Sequence, residues 1–405
     1  MDLINWIVGI AMFISLGLGG CKESDPALDD GQSYIPVMVE KSNATRLYMH
    51  YMPWFESKDF SGYWGSHWRM ANSNPDNIDG QGKRDIAAHY YPLIGPYDSA
   101  DPDLVEYHLL LMKYAGIDGV LIDWYGTHKT LDYYRNFENT EALVTRLDTI
   151  GLSFGVVYEE YTAEAVATRK GITEIEAAQA DLTFLEENYF SREQYIKQEE
   201  NPLLLTFGPR LFRKADDWTE IFSVLESKPD FMPLWGHDYY VGDNGIGEFS
   251  WVDFNADMRD LTNFYSTYDG HIIGSACPGF DDYYQEGGWG EGYGYLSHRG
   301  GATFSDQLAK AAEFSLGTIQ LVTWNDFGEG TMIEPTDEFQ YQFLEILQEF
   351  SGVSYSKSEL DLVCQYYLKR KEYRDNTEVQ QLLDEVFTHL NELRPEEASA
   401  ILEKL

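Results

Sequence analysis

Eight short apolar runs separated by helix-like segments constrain this chain more than any other feature. They are RLYMHYM (46–52), DGVLIDW (118–124), LSFGVVY (152–158), PLLLTF (202–207), FMPLW (231–235), a weaker SWVDF (250–254), HIIGSA (271–276) and TIQLVTW (318–324). Each is rich in branched and aromatic residues and too short to be a buried helix. The intervening segments carry helical spacing instead. In DPDLVEYHLLLMKYAG, Asp101 is placed to cap, Pro102 suits the first turn, and Leu104, His108, Leu111 and Ala115 share one face before Gly116 ends the helix. Similar patterns fall at 173–188, 216–227, 256–267 and 304–316. Eight strands with crossovers over roughly residues 46–350 predict an α/β fold, a (β/α)8 TIM barrel. The competing doubly wound open sheet lacks a GxGxxG or P-loop after its first strand.

Beyond 350 the chemistry thins out. DEFQYQFLEILQEF reads as the last barrel helix, and VQQLLDEVFTHLNELRPEEASAILEKL as an appended helical pair within a C-terminal extension, 351–405. At the other end, residues 1–21 read as a signal peptide closing on Leu18-Gly19-Gly20-Cys21, which resembles a bacterial lipobox with Cys21 as the lipidated residue. Asp2 stands where such leaders carry Lys or Arg, and an uncleaved N-terminal anchor is the alternative. A polar, acidic tether, 22–45, follows; KESDPALDDGQ within it resembles the acidic stretch of surface-exported lipoproteins of Bacteroidetes-type bacteria. The expected location is the outer membrane, periplasmic or cell-surface, with membrane contact only through lipid on Cys21.

The 68 acidic against 29 basic residues give a formal charge of −39, which repels phosphate backbones and excludes nucleic acid as a partner. Aromatic residues make up 15% of the chain, more than a core needs, and flat rings beside carboxylates suit neutral sugars. A tyrosine-rich core is the plainer explanation of the same count. Cys277 and Cys364 form no CxxC or Cys/His set, and the loop DNIDGQGKRD (76–85) lacks calcium-loop spacing. No metal or cofactor is expected, and the protein is expected to be a monomer.

A barrel directs attention to the C-terminal ends of its strands. There the sequence supplies His50, Tyr51 and Trp54; Asp123, Trp124 and Tyr125; Glu159 and Tyr161; Trp235, His237 and Asp238; and finally Asn325, Asp326 and Glu329. Two loops longer than ordinary βα connections, around GYWGSHW with HYYPLIGPY and around PGFDDYYQEGGWGEGYGYLSHRGG, predict a cleft with room for several sugar units. Paired carboxylates at such a rim suit glycoside hydrolysis, with Trp324 placed to shield one acid. Spacing alone leaves open whether Asp326 and Glu329 do this or merely cap a following helix.

Four blocks in order, DIAAHYYPLIGPYDSADPDLVEYHLLLMKYAGIDGVLIDWYG, VVYEEY, PGF with Arg299-Gly300-Gly301, and TWNDFGEGTMIEP, resemble glycoside hydrolase family 99, the endo-α-mannosidases and endo-α-1,2-mannanases. The resemblance implies a (β/α)8 barrel whose two acids lie in a W/F-N-E-x-x-E-G-T-x-I-E-P segment, which puts Asp326 on the first acid and Glu329 on the second. It implies that Glu329 is the general acid and then base at the glycosidic oxygen, and that Asp326 deprotonates the sugar's 2-hydroxyl to give a 1,2-anhydro intermediate. Glu159 and Tyr161 match an I-E-P-Y element, and substrate contact is expected from Tyr51, Trp54, Asp123, Trp124, Tyr125, Glu159, Tyr161, His237, Asp238, Arg299, Asn325 and Glu334. The first acid is Asp where the family has Glu, and Phe327-Gly328 replaces Trp-His. WNDFGE is closer at this point to family 71, the inverting α-1,3-glucanases. An endo-acting α-mannanase, an inverting α-1,3-glucanase and a glycan-binding lipoprotein without activity therefore stay open.

Overall fold

The computed structural model describes residues 36–405 except Glu199. The leader, the lipobox with Cys21 and most of the tether lie outside the described residues. Eight parallel strands are present: β1 (Arg46–Tyr51), β2 (Gly119–Trp124), β3 (Ser153–Tyr158), β4 (Asn201–Thr206), β5 (Asp230–Pro233), β6 (Gly247–Phe249), β7 (His271–Ala276) and β8 (Thr318–Leu321). Pairing runs β6-β7-β8-β1-β2-β3-β4-β5, with every one of these neighbours parallel. The sheet is strongly curled. Its two edge strands meet only at the isolated parallel bridges Phe231↔Gly245 and Leu234↔Phe249, where Ile246 N–H donates to Phe231 O at 2.9 Å.

Seven of the eight runs hold the strand expected of them. The exception is SWVDF. Its strand is the three residues Gly247–Phe249 just before it, and Ser250 to Phe254 form the turn that follows. The shift has a plain cause: Gly247 lies so close to β7 that an added Cβ would sit 2.0 Å from His271 O, so the pairing belongs where a glycine permits it.

Strand periodicity sorts side chains into two buried layers. Leu47, Met49, Val120, Ile122, Phe154, Val156, Leu204, Phe231, Ile319 and Leu321 face outward into the main core with the helices. Tyr48, Leu121, Val157, Leu203, Leu205, Met232, Phe249 and Ile273 face inward and fill the curl. With both faces covered, most strand positions are apolar, as parallel sheets require, and the polar exceptions include His50 and Asp123 near the strand ends.

The helix Pro102–Tyr114 starts as its sequence indicates: the Asp101 carboxylate accepts from Asp103 N–H at 3.1 Å, and Gly116 takes φ +77° at the end. It is buried on every side from Leu104 to Tyr114, not on one stripe. The reason is a C-terminal cover of three helices, Lys357–Glu372, Thr377–Asn391 and Pro395–Leu402, the first of which packs along its outer face. Sequence reading yields the last two of these helices and omits the first. Among the described residues, no helix is long and apolar enough to cross a membrane.

Candidate active site

A cavity of about 410 Å³ opens at the C-terminal ends of the strands. Its floor and walls follow from strand parity. Inward positions run off the end of β1 as His50 and Met52 and of β2 as Asp123 and Tyr125, and continue past β3 as Glu159 and Tyr161 and past β4 as Phe207, all of which line the cavity. Outward positions do not. Tyr51 is fully buried behind β1 with its hydroxyl 3.0 Å from His108 Nδ1, and Trp124 packs outward on Tyr158 and Phe184.

The acidic segment after β8 folds back on itself. Thr323 N–H donates to Thr331 O (2.9 Å) and Ile333 N–H to Thr323 O (2.8 Å), so residues 326–330 form the tip of a turn. Asp281 N–H grips Glu329 O at 2.9 Å and Tyr283 N–H grips Gly328 O at 2.8 Å, fixing the tip from the neighbouring loop. Gly330 is required here: its φ is +66°, and a Cβ would lie 2.7 Å from Asp281 O. Asp326 and Glu329 project from this tip into the cavity. Asp326 Oδ1 also accepts from Glu329 N–H at 2.9 Å, so it caps its own turn while facing the cavity; the next helix begins only at Gln342. Trp324 lies in the main core against His108 and takes no part in the lining, so the shielding of the acids comes from the cavity walls.

Five carboxyl groups, those of Asp123, Glu159, Asp326, Glu329 and the exposed Glu291, share this space with one guanidinium, that of Arg210. Burial raises the Asp326 carboxyl to about 7 against the backbone N–H groups of Glu329 and Gly328, which pull it down. Burial and then the Asp326 charge push Glu329 well above the ordinary carboxylate range, although the Tyr284 hydroxyl donates to its Oε1 at 3.2 Å. Asp123 is likewise pushed well up by burial, then by Glu159 and Asp326, and burial lifts Glu159 to about 8 with Arg210 opposing. Asp123 and Glu159 face each other closely enough for one carboxyl, when protonated, to hydrogen-bond the other, and both line the cavity where donors of a bound ligand would reach them. His50 and His67 are held neutral by burial, at about 4 and about 3.

Aromatic rings supply the walls. Trp54 stacks on His67 at 4.0 Å between centroids, and Trp251 stands edge-on to both His50 and Phe207 at 4.8 Å. Arg210 rests over the rings of Tyr161 and Phe207. Its loop is held by Glu160, the outward neighbour of Glu159, whose carboxylate accepts from the backbone N–H groups of Arg210, Leu211 (3.0 Å) and Phe212 (3.3 Å).

Of the residues expected from sequence, Trp54, Asp123, Tyr125, Glu159, Tyr161, Asp326 and Glu329 come together at the cavity. Tyr51, Trp124, Asn325 and Glu334 are buried beneath or behind it. His237 and Asp238 lie outside the lining, where their N–H groups donate to Glu248 Oε1 at 2.7 Å each. Arg299 pairs with Asp306 at 2.7 Å on the surface. The sequence reading misses Phe207, Arg210 and Trp251, and names Tyr284, Trp289 and Tyr293 only as part of a loop. Strand parity would have found Phe207 and removed Tyr51 and Trp124. Among the described residues, no group of three His, Cys, Asp or Glu side chains is arranged to hold a metal.

An eight-stranded parallel α/β sheet with acids converging at the strand ends is an arrangement shared by enzymes of many chemistries, glycoside hydrolases among them. The model of Glycosyl hydrolase family 99 matches residues 43–177, about a third of the chain. Among curated proteins, it is 29% identical over 92 residues to the glycoprotein endo-alpha-1,2-mannosidase of Xenopus laevis, covering 20% of this chain and 19% of that one. It is 23% identical over 332 residues to the glycoprotein endo-alpha-1,2-mannosidase-like protein of Mus musculus, covering 71% and 69%. The chain thus spans about a fifth of the length of the frog protein. Among solved structures, the GH99 endo-alpha-mannosidase of Bacteroides thetaiotaomicron shares the fold with a TM-score of 0.58 at 18% identity, covering 76% of this chain and 98% of that one.

Proposed function

We propose that the protein hydrolyses an α-linked glycan, of α-mannan type and from within the chain, with Asp326 and Glu329 as the acting pair. The observation that carries this reading is the turn at 326–330, which presents both carboxyl groups to one aromatic-walled cavity and leaves neither with a cation in contact. Glu329, held protonated by burial and by its neighbour's charge, is the proton donor to the leaving oxygen. Asp326, at about 7, is the group that ionises first and acts on the sugar's 2-hydroxyl or on water. Asp123 and Glu159 offer oxygens to sugar hydroxyls, while Trp54 and Tyr161 offer ring faces. The names of the mannosidase relatives support the mannan assignment.

The same reading takes the curled sheet as a (β/α)8 barrel closed through the two bridges between β5 and β6. It takes 351–405 as a helical extension, and the mature protein as a monomer anchored to the outer membrane through lipid on Cys21. Incubation with α-1,2- and α-1,6-linked mannans and with α-1,3-glucan, followed by product mass and anomer analysis, tests the function. Mannooligosaccharides are the expected products. Release of inverted glucooligosaccharides would assign the chain to α-1,3-glucan instead, and binding without cleavage would make it a glycan-binding protein.

A further inference from the structure

Three residues that sequence reading places at the substrate, Tyr51, Asn325 and Glu334, belong instead to one buried polar chain beneath the cavity. Asn325 clamps the backbone of Met52 at the end of β1, accepting from its N–H at 2.8 Å and donating to its O at 3.0 Å. The same amide donates to the Tyr97 hydroxyl at 3.2 Å, and that hydroxyl donates to Glu334 Oε2 at 2.6 Å. Glu334 Oε1 lies 3.3 Å from His108 Nε2, close but not aligned as a hydrogen bond, and His108 Nδ1 meets the Tyr51 hydroxyl. Every one of these side chains is at most 4% exposed.

Asn325 and Glu334 are the two legs of the turn whose tip carries Asp326 and Glu329. One hydroxyl, Tyr97 Oη, therefore ties both legs together, and the clamp on Met52 ties them to the cavity wall. We propose that Tyr97, with Glu334 and His108 behind it, is a positioning residue that holds the Asp326 and Glu329 carboxyl groups at their working separation. The role rests on those two acids being the reacting pair. The hydrogen-bonded run from Met52 through Asn325 and Tyr97 to Glu334 fixes geometry more tightly than apolar packing would, and reacting groups must be held within about 0.5 Å to keep their rate.

A second buried network of the same chemistry serves as the control. Under the C-terminal helices, the Tyr366 hydroxyl donates to Glu106 and accepts from Arg370 Nε at 2.9 Å, far from the cavity lining. Tyr97→Phe and Tyr366→Phe each delete one buried hydroxyl. Both are expected to lower Tm, but only Tyr97→Phe should lower kcat, by about tenfold or more with KM within twofold on the mannan and on an activated aryl glycoside. Glu334→Gln still accepts from Tyr97 and should keep kcat within threefold of wild type. A Tyr97→Phe protein with unchanged kcat, or a Glu334→Gln loss as large as that of Tyr97→Phe, overturns the proposal.

Crystal structures of the wild type and Tyr97→Phe provide a readout that needs no substrate. The two carboxyl groups are expected to shift by more than about 0.5 Å. If the wild type cleaves no glycan, the proposed function fails; a superimposable 326–330 turn in Tyr97→Phe would separately defeat the brace.

Discussion

The cavity rim and the seam between Pro102–Tyr114 and the C-terminal helices bury the same kinds of group under opposite conditions. In the seam the buried charges have hydrogen-bonding or ionic partners. Glu106 meets Tyr366 and, at 3.3 Å, Arg146; Lys371 reaches Asp101 and Asp103 at 2.6 Å; and the Lys113 ammonium donates to Ile150 O, Asn391 O and Asn391 Oδ1 between 2.7 and 2.9 Å. At the rim, Asp123, Glu159, Asp326 and Glu329 crowd together with Arg210 as the cation among the lining residues. Unanswered burial costs stability, and a fold keeps it only where the raised proton affinity is used. The seam is thus built to hold, and the rim carries the raised proton affinities on which the proposed function rests.

The largest effect expected from breaking this contrast is at the acting pair. Glu329→Gln should lower kcat on polysaccharide by about 10² to 10⁴, with partial recovery on an activated aryl glycoside whose leaving group needs no proton. Asp326→Asn should lose as much without that recovery, because its role does not depend on the leaving group. Equal rates in wild type and both variants would reduce the acids to turn-forming residues.

The contrast also predicts opposite pH signatures. If Asp326 acts as its anion, kcat/KM should rise as pH passes upward through about 7, and Asp326→Asn should abolish that limb. Asp326 at about 7 and Glu159 at about 8 sit above their unfolded values, so the folded state binds more protons between about pH 4 and 8. Their contribution to stability is therefore present at low pH and lost as pH rises through those values. Asp326→Asn and Glu159→Gln should gain stability over wild type as pH is raised from 5 to 8, measured by urea unfolding; a difference independent of pH would refute the assignment.

In the seam, Lys113→Met should cost about 3 kcal/mol of stability through three lost hydrogen bonds while leaving kcat within twofold. Smallest is Arg299→Ala, which removes one surface ion pair with Asp306. It should change stability by less than about 1 kcal/mol and leave kcat and KM alone. A raised KM there would return Arg299 to the substrate.

Local chemistry made much of this legible before any tertiary structure. Seven of the eight strands, the cap at Asp101, the stop at Gly116 and the turn with Asp326 and Glu329 follow from short-range propensity, period and spacing. Strand parity, a property of sequence alone, separates His50 from Tyr51, Asp123 from Trp124 and Glu159 from Glu160. What it cannot separate is the use made of a buried acid. Glu160, Glu248 and Asp253 are as acidic and as near the strands as Asp326, yet they spend their oxygens on backbone N–H groups of loops and of a helix start that would otherwise be unpaired. Glu334 sits five residues from Glu329 and braces it from below. Which carboxyl faces a cavity, which ties a loop and which supports another depends on partners as far as 237 positions away in the chain, as Tyr97 is from Glu334. Only the packing of the curled strands and their loops brings those partners into reach.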